Sequence, residues 1–132
     1  MAYMPKDDKT AIIRKTTSKE NLPQNIRAVL VVLEGKEAGV RYELARDYME
    51  IGRGSDVDIR IPRQDISRKH CLIFFKNNRF FVRDLESTNG TFLNGAKVDE
   101  KALNHGDKLQ LGESTFLFLI EEKTGSKRIW EI

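Results

Sequence analysis

Three short polar motifs punctuate the middle of this chain: Gly52-Arg53, Ser67-Arg68-Lys69-His70, and Ser87-Thr88-Asn89-Gly90-Thr91, the last followed by Asn94-Gly95. Each lies in or beside a loop next to a strand-like run. Together they hold a guanidinium, several hydroxyls and a side-chain amide. An Arg presents parallel N–H donors that match two oxygens of a phosphate. Ser and Thr hydroxyls are short enough to complete such a cradle, and Asn offers both a donor and an acceptor able to fix a peptide backbone. A phosphorylated side chain, with about −1.5 to −2 charge and three acceptor oxygens, would match such a cradle. Arg53, Ser67, Thr88 and Asn89 fit that inventory. They are far apart in sequence, so only a fold that gathers their loops makes a site.

Each motif also has a plainer reading. Taken alone, Arg53 is a solvated surface charge, Ser67 a turn cap, and Thr88-Asn89 turn chemistry. Arg68 divides evenly between surface charge and ligand, and Lys69 reads as surface charge. Cys71 reads as a small packing residue rather than a reactive thiol. Nothing points to catalysis: two His and one Cys make no zinc spacing, and no Gly-rich Lys-Ser/Thr phosphate loop is present. Asp56 and Asp58 read as solvent-facing positions, and Asp84-x-Glu86 is unpersuasive as a metal site. The expected cofactor requirement is none.

The elements that must position the motifs are short strands. At 132 residues, with 39% hydrophobic and 33% charged residues, one folded domain is expected. Residues 1–25 read as a flexible tail punctuated by Pro5 and Pro23. Residues 26–120 form the domain, and 121–132 a second tail or a linker. From Ile26 the chain alternates apolar runs with turns. Runs at 26–33, 39–44, 48–51, 57–61, 70–75, 79–84, 91–93, 108–111 and 115–120 read as strands, with Pro62 as a stop and Asn77-Asn78 as a hairpin. That spacing predicts an all-β sandwich with its loops clustered at the ends. The net charge is +3, and residues 26–120 contribute only +1 of it. No concentrated basic face is demanded, so a nucleic-acid partner is not expected. The apolar runs are too short to span a bilayer. The start has no signal-peptide core and the lone Cys71 forms no internal disulfide, so a cytoplasmic location is expected.

The ordered set of motifs resembles the signature of the fork-head-associated (FHA) domain family, over about residues 26–120. The resemblance implies an FHA-like (SMAD/FHA) β-sandwich of about eleven strands that binds phosphothreonine peptides in its apical loops. It implies phosphate contacts from Arg53 and Ser67, a pocket contribution from Thr88, a peptide-backbone hydrogen bond from Asn89, and an additional contact from Arg68. It gives Gly52 a tight turn, His70 a buttressing position beneath the loop, and Gly90, Asn94 and Gly95 a loop-shaping role. The expected partners are a phosphothreonine-containing protein or peptide, in cis or trans, and a Ser/Thr protein kinase. The resemblance also allows a sensory domain of a larger protein, such as a diguanylate cyclase. A phosphorylation-independent scaffolding sandwich is the alternative.

The tail carries a candidate internal ligand. Thr10 follows Asp7-Asp8-Lys9 and has Ile13 three residues later, a position the family uses to select ligands. Thr16 and Thr17 have Lys19 and Glu20 there and suit it less. The sixteen steps from Thr10 to Ile26 reach roughly 50 Å when extended. A domain of this size has a radius of gyration of about 13 Å, so the reach allows docking in cis.

Overall fold

The alternating pattern resolves into eleven β-strands in the computed structural model, which describes residues 22–123. They are β1 (Ile26–Val32), β2 (Arg41–Glu43), β3 (Tyr48–Gly52), β4 (Ile59–Arg60), β5 (Cys71–Lys76) and β6 (Arg79–Asp84). The remaining strands are β7 (Thr91–Leu93), β8 (Ala96–Lys97), β9 (Glu100–Leu103), β10 (Lys108–Leu111) and β11 (Ser114–Glu122). Six strands form one sheet in the order β2-β1-β11-β10-β7-β8, and five form the other in the order β4-β3-β5-β6-β9. This is the all-β sandwich that the spacing predicts.

The period-2 alternation of strand side chains explains how the core closes. In β11, Ser114, Phe116 and Phe118 turn inward between half-buried neighbours. Leu30, Ile51, Ile73, Val82, Leu109, Leu111, Phe116 and Phe118 meet in one cluster drawn from both sheets. Phe80 of one sheet lies edge-on to Phe118 of the other, with ring centroids 5.6 Å apart. Cys71 is fully buried in this cluster, and burial pushes its thiol pKa strongly upward, as a packing residue requires. The outward residues of β5 are also covered. Leu72 and Phe74 pack with Tyr48, Phe81 and Leu85, and the Arg83 guanidinium lies 5.6 Å above the Phe74 ring.

Three differences from the sequence pattern have local causes. The alternating run at 57–61 keeps only two residues of strand, and β4 pairs parallel to β3 (Ile51↔Ile59, Gly52↔Arg60). Ile61 adds one bond to Gly52 O at 2.8 Å, and Pro62, without an N–H, cannot continue it. Second, β8 and β9 have no counterpart in the apolar pattern. Each closes an edge of its sheet, where charged residues such as Lys97, Glu100 and Lys101 keep the edge from pairing with other chains. Third, Leu22 packs against the core and Asn25 O accepts the Lys123 N–H at 2.9 Å. Packing therefore begins before Ile26, and β11 runs past residue 120. Thr10 lies outside the described residues.

The loops that carry the motifs share one end of the sandwich because β3, β5 and β6 run antiparallel beside one another. Gly52 at the end of β3 is fixed by proximity rather than by a turn. Its φ is not in the left-handed region, but a Cβ there would lie 2.0 Å from the Arg68 carbonyl oxygen. Gly52→Ala therefore forces β3 away from the β4–β5 loop. A loss of about 1–3 kcal/mol of folding stability is expected, read as a lower denaturant midpoint at unchanged slope.

Candidate functional site

The site is built around the β4–β5 loop, residues 61–70. Four consecutive carbonyls of this loop accept hydrogen bonds from its neighbours. Asp65 O accepts from Asn89 Nδ2 at 2.9 Å and Ile66 O from Arg53 Nε at 2.9 Å. Ser67 O accepts the Arg53 N–H at 2.9 Å, and Arg68 O the Gly54 N–H at 3.0 Å. The β3–β4 and β6–β7 loops are thus fastened to the same short segment. The Ser67 hydroxyl completes the link by accepting the Thr88 N–H at 2.9 Å. Arg53, Ser67, Thr88 and Asn89, spread over 37 positions of sequence, come together.

These bonds leave a particular set of groups for a ligand. With Nε held by Ile66 O, the Arg53 fork has its two terminal nitrogens unused by that contact. The Ser67 hydroxyl accepts from Thr88 and keeps its own proton to donate. Asn89 uses one N–H on Asp65 and retains its carbonyl oxygen. Arg68 is exposed at the rim, and Lys69 lies 3.9 Å from Asp56 in an open ion pair.

His70 lies directly beneath and is fully buried. Its Nδ1 accepts the Ser67 N–H at 3.1 Å, and its Nε2 donates to Gly90 O at 2.8 Å. A carbonyl only accepts, so the ring proton sits on Nε2. The ring thereby joins the loop bearing Ser67 to the one bearing Thr88 and Asn89. Gly90 has φ +89, and a Cβ there would come within 3.0 Å of the Phe92 ring. Asn94 and Gly95, with φ of 50 and 89, make the two-residue turn between β7 and β8. The Asn94 side chain also donates to Asp107 and accepts the Lys108 N–H. This pair shapes a turn and does not line the Arg53 cluster through any of these bonds.

Several organising residues escape the sequence reading. Asp84 is the main one. Its carboxylate accepts from the Ser87 hydroxyl and the Thr91 hydroxyl, each at 2.6 Å, and from the Ser87 N–H at 3.1 Å. The Ser87 hydroxyl then accepts the Gly90 N–H at 3.0 Å. An Asp three residues before a Ser at a turn was the available signal. Asp65 is the second. Its carboxylate accepts the Glu113 N–H at 2.7 Å and draws the β10–β11 turn onto the site. Gly112 permits that approach, because a Cβ there would lie 2.4 Å from Asp65 O. Arg60 is the third, donating from Nε to Arg53 O at 3.1 Å. Among the described residues, no group of three or more His, Cys, Asp or Glu could hold a metal ion. No described helix is long and apolar enough to cross a membrane.

The FHA domain family model matches residues 49–112, the span that contains the β3–β4, β4–β5 and β6–β7 loops. The oxoglutarate dehydrogenase inhibitor of Corynebacterium glutamicum is 32% identical over 113 residues, covering 86% of this chain and 78% of that protein. The chain belongs to the FHA domain family. This FHA domain is also 39% identical over 106 residues to the glycogen accumulation regulator GarA of Mycobacterium tuberculosis, covering 80% of this chain. The match spans 65% of that relative's length. One solved FHA domain comes from a structural and functional analysis of phosphothreonine-dependent FHA domain interactions. It superposes with a TM-score of 0.65 at 35% identity and covers 70% of this chain and 95% of that one.

Two half-buried aspartates, Asp84 and Asp65, couple the site to acid. Burial alone would raise both pKa values. For Asp84 the hydrogen bonds from Ser87 and Thr91 outweigh it, and the net shift is downward from the ordinary 3.8. For Asp65 the Glu113 N–H and Arg63 do the same. A carboxylate whose folded pKa is depressed contributes stability in full above its unfolded value and loses it as pH falls through the folded value. Thermal melts should therefore show stability dropping below about pH 4. Asp84→Asn should be less stable near neutral pH by about 1–3 kcal/mol and show a shallower acid decline. An unchanged acid limb would remove Asp84 from this role.

Proposed function

We propose that this FHA domain binds phosphothreonine-bearing segments of other proteins or of its own tail, and catalyses nothing itself. In this reading Arg53 and Ser67 hold the phosphate, Thr88 adds to the pocket, and Asn89 fixes the backbone of the bound chain. Arg68 lends an outer contact. The observation that carries the proposal is the fastening of Arg53 Nε to Ile66 O beside a Ser67 hydroxyl that is already an acceptor for Thr88. Both groups are pre-oriented, so little side-chain entropy is lost when a dianion arrives. The phosphothreonine-dependent interactions of the solved FHA domain support the same chemistry here. The regulator and the inhibitor among its relatives support a regulatory role, and in this reading a Ser/Thr kinase supplies the phosphothreonine. In a longer protein the module would act as an input to an output domain, a diguanylate cyclase being the example the family supplies.

Calorimetry against phosphothreonine and unphosphorylated peptides tests the proposal. Arg53→Ala should weaken phosphopeptide binding by about 2–5 kcal/mol. Arg53→Lys should recover only part of it, because an ammonium lacks the Nε needed to bond Ile66 O. Equal binding of phosphorylated and plain peptides would favour the scaffolding sandwich instead.

Thr10 is the proposed internal ligand. Phosphorylation by a Ser/Thr kinase would let the tail dock at Arg53, closing the site in cis or linking chains in trans. A peptide of residues 6–17 phosphorylated on Thr10 should bind the Thr10→Ala chain, and the phosphorylated parent chain should reject it. If the Thr10→Ala chain ignores the peptide while binding other phosphothreonine peptides, the internal ligand is wrong and the recognition site stands.

A further inference from the structure

A second concavity lies one residue beyond the apical site. A cleft of about 190 Å³ opens between the β1–β2 connection, the β4–β5 loop and the start of β11. Its base is apolar, formed by Val32, Ile61 and Phe116, and its rim carries Glu34, Glu37 and Glu113. Arg63 also lines it, but its Nε lies 3.4 Å from Asp65 Oδ1, so its charge is offset there. The volume falls below the roughly 300–1,000 Å³ of small-molecule sites and suits a single side chain. Apolar walls under a carboxylate rim match Lys or Arg, whose methylenes pack on apolar surface while the charged head stays among polar groups.

Two hydroxyl-bearing residues, Ser114 and Tyr42, also line the cleft. Ser114, one of its lining residues, is only 8% exposed, and its hydroxyl is buried with no hydrogen-bond partner among the described residues. A buried hydroxyl without a partner is costly and uncommon. Tyr42 also lines the cleft. Burial first, and then the Glu37 charge, raises its phenol pKa and keeps the hydroxyl protonated.

Asp65 joins this cleft to the apical site, with its carbonyl on Asn89 and its carboxylate on the Glu113 N–H. A chain held at Asn89 therefore needs to continue only past Asp65 to reach the carboxylates. We propose that the cleft is a subsite for a lysine or arginine side chain of the same segment that places its phosphothreonine at Arg53. This rests on the phosphothreonine reading above. It makes the ligand bipolar, a dianion and a cation set apart along one peptide. The pairs are partly solvent-exposed, so each carboxylate contributes modestly and the effect fades with salt.

An oriented phosphothreonine peptide library, offered to the full chain and to its Glu37→Gln/Glu113→Gln variant, separates the outcomes. The parent should enrich Lys and Arg at one fixed offset from the phosphothreonine. The variant should lose that preference by about two- to five-fold per carboxylate and keep its dependence on phosphate. Phosphothreonine-dependent binding with no basic preference, or with one the variant retains, overturns the subsite and leaves the phosphothreonine reading intact. A parent chain that selects no phosphothreonine peptide at all overturns both.

Discussion

Everything at the apical end rests on the backbone of Asp65 to Arg68. Four successive carbonyls in that stretch each receive a hydrogen bond from another loop. Carbonyls of an irregular segment normally turn to water. Here they act as a rail onto which the β3–β4 and β6–β7 loops are bolted. The rail is straight enough to do this because His70 holds the Ser67 N–H from below and is itself anchored to Gly90. It is close enough because Gly52 has no side chain to keep Arg68 away. One imidazole and one missing methyl group thus set the spacing of residues that share no sequence neighbourhood.

The same arrangement decides the electrostatic character of the surface. The acceptors of the rail are consumed internally, and so is the Asp84 carboxylate, wrapped by Ser87 and Thr91. What remains turned outward is rich in donors: the Arg53 fork, the Ser67 hydroxyl, and the exposed Arg68. A surface that has hidden its acceptors and kept its donors favours anions without needing a large net charge, which the chain does not have. Three exposed carboxylates, Glu34, Glu37 and Glu113, are gathered at the separate cleft beyond Asp65.

Much of this was legible in the sequence, for physical reasons that differ by element. The long strands declared themselves through alternation that one buried face imposes. Arg53, Ser67, Thr88 and Asn89 were legible through residue type and order, and the loops do bring them together. The edge strands β8 and β9 were not legible, since Ala96–Lys97 and Glu100–Leu103 are too short and polar to carry the periodic signal that marked the edge strands β2 and β4. Asp65 and Asp84 were also hidden. Each resembles an ordinary solvated carboxylate until the loop around it is known, because the partners that fix it in the site are backbone N–H groups and hydroxyls that carry no charge signature. Gly52 was legible as important but for a different cause, a tight turn in place of the close approach of Arg68. Arg60, bonded to the Arg53 carbonyl, had no signal beyond an alternating charge.

The meeting of Asn25 with Lys123 bears on how the module responds to tension. Beyond that bond β1 and β11 run antiparallel, with Ile26 opposite Glu122 and Val32 opposite Phe116. Ile26 and Glu122 lie at the end far from Arg53, beside the β5–β6 hairpin. A pull applied at Asn25 and Lys123 would load the ladder one rung at a time, like a zipper, instead of shearing all rungs together, because the start of β1 and the end of β11 lie at the same end of the antiparallel pair. The outermost rungs would yield first, and the Asp65–Arg68 rail, at the opposite pole, would be among the last parts to feel the force.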